Sequence, residues 1–80
     1  MKSTFERIED VICARFGEGY RGKLSPETTM DDVPEWDSLS FLDLVTDLEQ
    51  AFNVRFRPNE TAQLFKLGLI EKIVTGKQSG

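Results

Sequence analysis

The side chains of this chain that could do chemistry are hydroxyls and carboxylates, because it holds no histidine and one cysteine, Cys13. A lone cysteine closes no internal disulfide, and without histidine there is neither a Cys-His pair nor the usual zinc donor set. A serine nucleophile needs a base, and only Lys23 or a carboxylate is available, at no informative spacing. The acid pairs Glu9-Asp10 and Asp31-Asp32 are adjacent in sequence, unlike the facing carboxylates of general acid–base catalysis, and read as solvated. No calcium-loop pattern occurs. No catalytic or metal-ligating residue is therefore assigned. What remains is Ser38, a hydroxyl that follows Asp37 at the head of the longest stretch free of Gly and Pro.

The element that must position Ser38 is a helix. Asp37 offers an N-cap side chain, and the spacing predicts a helix from about Ser38 to Phe52, stopped by Asn53. At about 100° per residue, Phe41, Leu44, Val45, Leu48, Ala51 and Phe52 share one face about 120° wide, the core face. Leu39 falls roughly opposite its centre and Leu42 on its shoulder, with Asp43, Asp47 and Gln50 on Leu39's side. An apolar contact among acids is a docking surface for a basic partner patch, although a single exposed leucine is also ordinary. In the first turn of a helix, unpaired backbone N–H groups and the dipole favour an anionic group such as a phosphodiester on Ser38. Serine and aspartate also cap most helix starts, so helix physics leaves two readings of Ser38 open: a cap or an attachment point.

Around this helix, Ser3 and Glu6 form a capping-box pattern, and Phe5, Ile8, Ile12 and Phe16 recur at helical spacing, which predicts a first helix from about Thr4 to Phe16. Gly17, Gly19 and Gly22 end it. A long loop from Leu24 to Glu35 follows, of a length that in small domains often carries function. Val54 and Phe56 read as buried anchors in a loop before Pro58. Asn59 or Thr61 begins a short helical turn through Leu64 and Phe65. Gly68 separates that turn from a last helix bearing Leu69, Ile70, Ile73 and Val74, which Gly76 closes; Lys77 to Gly80 is a polar, frayed tail. The expected fold is all-α, one domain over residues 1–80: a bundle of three longer helices and one short one around Phe5, Ile8, Ile12, Phe16, Leu44, Val45, Leu48, Phe52, Phe56, Leu64, Ile70 and Ile73. Cys13, on the flank of the first helix, is a small packing residue.

The net charge of −4 conceals an asymmetry. Glu27 to Phe52 holds eight acids (Glu27, Asp31, Asp32, Glu35, Asp37, Asp43, Asp47 and Glu49) and no Lys or Arg, and the rest has six acids against ten bases. An acidic stretch of this kind disfavours nucleic acid and anionic membranes and suits basic protein surfaces. The mixed apolar and charged N-terminus carries no continuous apolar run, and a cytoplasmic monomer is expected.

The run Glu35-Trp36-Asp37-Ser38-Leu39-Ser40, followed by an uninterrupted amphipathic helix ending Leu48-Glu49-Gln50-Ala51-Phe52, resembles the acyl and peptidyl carrier protein family. Asp37-Ser38-Leu39 matches the core of its motif at the start of the second helix. The resemblance implies a non-catalytic carrier whose Ser38 receives 4′-phosphopantetheine from coenzyme A through a phosphopantetheinyl transferase. Acyl or polyketide intermediates then ride on the arm as thioesters. It further implies that Leu39, Leu42, Asp43, Asp47 and Glu49 meet acyl-loading and acyl-processing enzymes that bear basic docking patches. Two positions depart from the pattern of fatty-acid-type carriers: Ser40 stands where an acid is usual, and Trp36 replaces a glycine. The Trp-Asp-Ser-Leu-Ser run looks more like stand-alone carriers of specialised pathways. An aminoacyl or peptidyl carrier is the alternative within the family, and an unmodified acidic helical adaptor the alternative outside it.

Overall fold

A computed structural model describes residues 2–79. Helix α1 spans Thr4–Phe16. It opens with the expected capping box: Ser3 Oγ accepts from the Glu6 amide at 3.2 Å and Glu6 Oε1 accepts from the Ser3 amide at 3.0 Å, so two amides that the helix leaves unpaired are satisfied reciprocally. Gly17 ends it at φ 124°, a backbone angle that side chains rarely tolerate. Helix α2 spans Ser38–Phe52 and stops where Asn53 turns left-handed at φ 54° and ψ 50°. Short 3-10 turns at Glu18–Tyr20 and Met30–Asp32 give the long connection between α1 and α2 some local order.

The C-terminal third differs from the sequence expectation in three places. Helix α3 is Pro58–Thr61, beginning with Pro58 at its first position, where a missing amide proton and a fixed φ are favourable. It ends before Leu64 and Phe65, which lie in the turn beyond. Gly68 does not separate two helices, because it sits inside the first turn of α4, Leu67–Ser79. Its amide donates to Pro26 O at 2.9 Å, and a Cβ there would lie 2.9 Å from the same oxygen, so glycine is what lets the two segments close. The helix also passes through Gly76. Lys77 pairs with Glu60 at 2.7 Å and Gln78 Nε2 donates to Phe52 O at 3.3 Å, so tertiary contacts hold the turn in which a frayed tail was expected. Gly80 lies outside the described residues.

Helix α1 packs on both α2 and α4. Ile8, Ile12, Leu44, Leu48, Phe52, Leu64 and Ile70 are buried as expected, whereas Phe5, Phe16, Val45, Phe56 and Ile73 are half-buried at the periphery and Ala51 is exposed. Cys13 is buried among them, and burial pushes its thiol above the ordinary range, as suits an inert packing residue. Val33, Trp36, Leu67 and Val74 complete the core. Trp36 is only 2% exposed, with its ring centroid 6.5 Å from that of Phe16, and its Nε1 has no hydrogen-bond partner among the described residues. An unpaired buried N–H costs about 1–3 kcal/mol. Burying an indole is worth about 3–5 kcal/mol, so the ring stays inside.

Backbone bonds tie the long loop to the segment before α4. The Met30 amide donates to Phe65 O at 3.0 Å, the Leu67 amide to Thr28 O at 2.9 Å, and Thr29 and Lys66 form an isolated antiparallel bridge. The radius of gyration, 11.5 Å, equals the roughly 11.6 Å expected of a compact 80-residue chain. Among the described residues the architecture is thus a small all-α bundle of three longer helices and one short one. Among the described residues no helix is long and apolar enough to cross a membrane.

Candidate functional site at the head of the second helix

The hydrogen bonds of the first turn show which residues cap the helix. Asp37 is the N-cap: its Oδ1 accepts from the Leu39 amide at 3.1 Å and the Ser40 amide at 3.0 Å. Ser40, at the third helical position, completes a capping box by accepting the Asp37 amide on Oγ at 2.8 Å, and its hydroxyl proton is shared between Glu35 O at 2.6 Å and Asp37 Oδ1 at 3.1 Å. The backbone bond from Ser40, followed by its side-chain bond, holds the Asp37 carboxyl below its ordinary value. Ser38, between these two, is exposed, and its hydroxyl has no hydrogen-bond partner among the described residues. It takes no part in the cap.

The same bonds narrow one expectation. Two amides of the first turn, those of Leu39 and Ser40, are already taken by Asp37, which leaves an anion on Ser38 the Ser38 amide, the helix dipole and open solvent.

Ser38 stands between two apolar surfaces. On the helix, Leu39 is 82% and Leu42 63% exposed. On the other side an open cleft of about 310 Å³ is lined by Met30, Ser38, Phe41, Ala62 and Phe65, with Phe65 46% exposed. The loop-to-turn pairing described above, Met30 amide to Phe65 O, is what brings these two residues to the head of α2.

The acids divide sharply. Asp43 lies on the crest of α2 with its side chain 64% exposed. Asp47, expected to face solvent, is instead gripped by Arg15 of α1, whose Nε and Nη2 donate to its two carboxylate oxygens at 2.8 and 3.1 Å. Glu49 turns the other way and accepts the Phe56 amide at 2.8 Å, fixing the loop after α2. In the preceding loop, Asp32 accepts the Thr29 amide at 2.9 Å, Glu27 pairs with Lys66 at 3.1 Å, and Glu35 accepts the Tyr20 hydroxyl proton, which raises the Tyr20 pKa. The Glu9-Asp10 pair is equally engaged: Glu9 accepts the Gly22 amide at 2.9 Å, and Asp10 is held below its ordinary range first by Lys2 and then by Arg21. Of the five residues expected to meet partners, the fold brings Leu39, Leu42 and Asp43 together on one open crest. Asp47 and Glu49 serve as braces along its two edges.

No protein-family model matches the chain. Curated relatives do: acyl carrier protein AcpXL of Brucella melitensis biotype 1 and acyl carrier protein AcpXL of Brucella suis biovar 1 are each 41% identical to it over 56 residues, or 69% of this chain. The chain belongs to the acyl carrier protein family. Its match spans 58% of the length of those relatives.

Within this acyl carrier protein family member, sequence reasoning missed Arg15, Met30 and Phe65 as neighbours of the site. Arg15 and Asp47 are 32 positions apart, and no local spacing connects them. The sequence pattern places Phe65 in a helical turn, and only the bridge between the long loop and residue 66 carries it to Ser38. Trp36, noted only as a departure from the family pattern, is a core anchor that fixes the chain immediately before the cap.

Proposed function

We propose that this chain carries acyl or polyketide intermediates as thioesters on a 4′-phosphopantetheine arm attached to Ser38, and that it presents them to partner enzymes without transforming them. The single observation that supports this reading is the idle hydroxyl: Asp37 and Ser40 perform the capping, so the serine between them is released from structural duty. In the attachment step Ser38 Oγ loses its proton to a base on the transferase and forms the new P–O bond to the phosphopantetheinyl phosphorus of coenzyme A, and adenosine 3′,5′-bisphosphate leaves. When bound, the arm supplies a terminal thiol to which cargo is esterified. The chain's own residues keep the hydroxyl exposed, hold the preceding backbone in place through Trp36, and present Leu39, Leu42 and Asp43 beside it. The names of the curated relatives favour acyl over aminoacyl cargo.

Incubation with coenzyme A and a broad-specificity phosphopantetheinyl transferase, read by intact mass, tests the proposal. The expected result is a gain of one phosphopantetheinyl group that Ser38→Ala abolishes. Because Ser38 caps nothing, the same variant should change stability by no more than about 0.5 kcal/mol. No gain in the native protein, or a gain that survives Ser38→Ala, overturns the proposal in favour of an unmodified acidic adaptor.

A further inference from the structure

We propose that Arg15 is a specificity-determining residue: a counter-ion built into the fold that withholds Asp47 from partners and partly screens Asp43, so that the partner surface this chain fits is apolar, with a single cation facing Asp43. The inference rests on the carrier reading above and deepens it by naming the chemistry of the docking partner.

Asp43 and Asp47 are one helical turn apart on α2, a spacing that places them side by side on the surface. By sequence both belong to the acidic stretch that would draw a basic patch. In the fold Arg15 crosses from α1 and takes both oxygens of Asp47 in two parallel N–H···O bonds at 2.8 and 3.1 Å, the fork geometry that matches guanidinium to carboxylate. Its Nη1 also lies 4.0 Å from Asp43 Oδ2. The Asp47 side chain is left 28% exposed, against 64% for Asp43. A partner lysine or arginine that approached Asp47 would have to displace an arginine already in place. On the opposite edge Glu49 is spent on the Phe56 amide.

What the crest offers is therefore Leu39 and Leu42, 82% and 63% exposed, and one open carboxylate. Charge steers association in proportion to the unscreened charge and loses effect within a Debye length of about 8 Å at physiological salt, whereas apolar contact is insensitive to ordinary salt. Docking on this crest accordingly depends weakly on ionic strength.

Loading of the full chain by a phosphopantetheinyl transferase whose carrier-docking surface is basic provides the readout, as kcat/KM for the carrier at low and high sodium chloride. The native chain should change by less than about threefold across that range, while Arg15→Met, which keeps the aliphatic stem but uncovers Asp47, should raise low-salt kcat/KM by roughly threefold or more and become steeply salt-dependent. Asp47→Asn frees Arg15 to face the partner and should lower low-salt kcat/KM. The double variant Arg15→Met/Asp47→Asn should return close to the native value. Were Asp47 instead a direct partner contact, the double variant would stay as low as Asp47→Asn, and that result overturns the proposal. So does an Arg15→Met chain that retains native helix content by circular dichroism and loads with a native rate and salt profile. If no variant and no native chain is loaded, the carrier reading itself falls and this inference with it; normal loading with an unchanged salt profile removes this inference alone.

Discussion

The two ends of α2 are built to opposite rules. At its C-terminal end several groups are tied to other parts of the chain: Arg7 donates to Ala51 O at 2.7 Å while lying 4.3 Å over the Phe52 ring, Gln78 reaches Phe52 O, Glu49 holds the Phe56 amide, and Asn53 turns the chain in the left-handed region. A cation at the carbonyl end of a helix also complements the dipole. At the N-terminal end the capping bonds are local, running among Glu35, Asp37, Leu39, Ser40 and Phe41, and they leave the side chains of Ser38, Leu39 and Leu42 facing outward. One helix thus joins an anchored end, which resists change, to a self-capped end whose outward side chains are free for recognition. The difference teaches that the first turn is capped without spending the Ser38 hydroxyl.

The sharpest way to break the comparison is at the anchored end. Phe52 is 3% exposed, so Phe52→Ala should destabilise the protein by about 3–5 kcal/mol in denaturant titrations while any folded fraction is still loaded on Ser38. Loss of loading without loss of stability would show that the two ends are coupled after all. A smaller effect is expected at the cap: Asp37→Ala should lower the thermal midpoint by a few degrees. The pH dependence follows with its sign. Asp37 is held below its ordinary carboxyl value by the Ser40 amide, so the unfolded chain binds more protons in acid; the stabilisation is present above about pH 4 and is lost as pH falls through the folded value. Asp37→Ala should accordingly flatten the acid limb of a stability–pH curve, and an unchanged limb would show that this cap contributes nothing to it. Smallest of all is Leu39→Ser, which should leave stability within about ±0.5 kcal/mol yet slow loading or transfer, because an exposed side chain contributes to docking and not to the core. A substantial loss of stability there would make Leu39 a structural residue.

Much of this arrangement was legible in the sequence wherever the signal is local. The boundaries of α1 and α2 follow from Ser3-Glu6, Asp37 and Asn53, since capping involves groups within a few residues of each other. Periodicity separated the core face of α2 from the crest that carries Leu39 and Asp43. The third and fourth helices were less legible: Gly68 and Gly76 look like breaks until the Pro26 carbonyl that meets Gly68 and the Lys77–Glu60 pair that follows Gly76 are known, and local propensity yields to contacts made elsewhere.

By itself, then, the sequence determined the first two helices, the placement of Ser38 in a first turn, and the acidic character of the stretch around it. Only the tertiary structure decided which of those acids face outward. Whether a carboxylate serves docking or bracing depends on a cation or amide that arrives from another element, as Arg15 does for Asp47 and the Phe56 amide does for Glu49. The same holds for Ser38: its type and position admitted both a cap and an attachment point, and its idleness became visible once Asp37 and Ser40 were seen to close the cap between them.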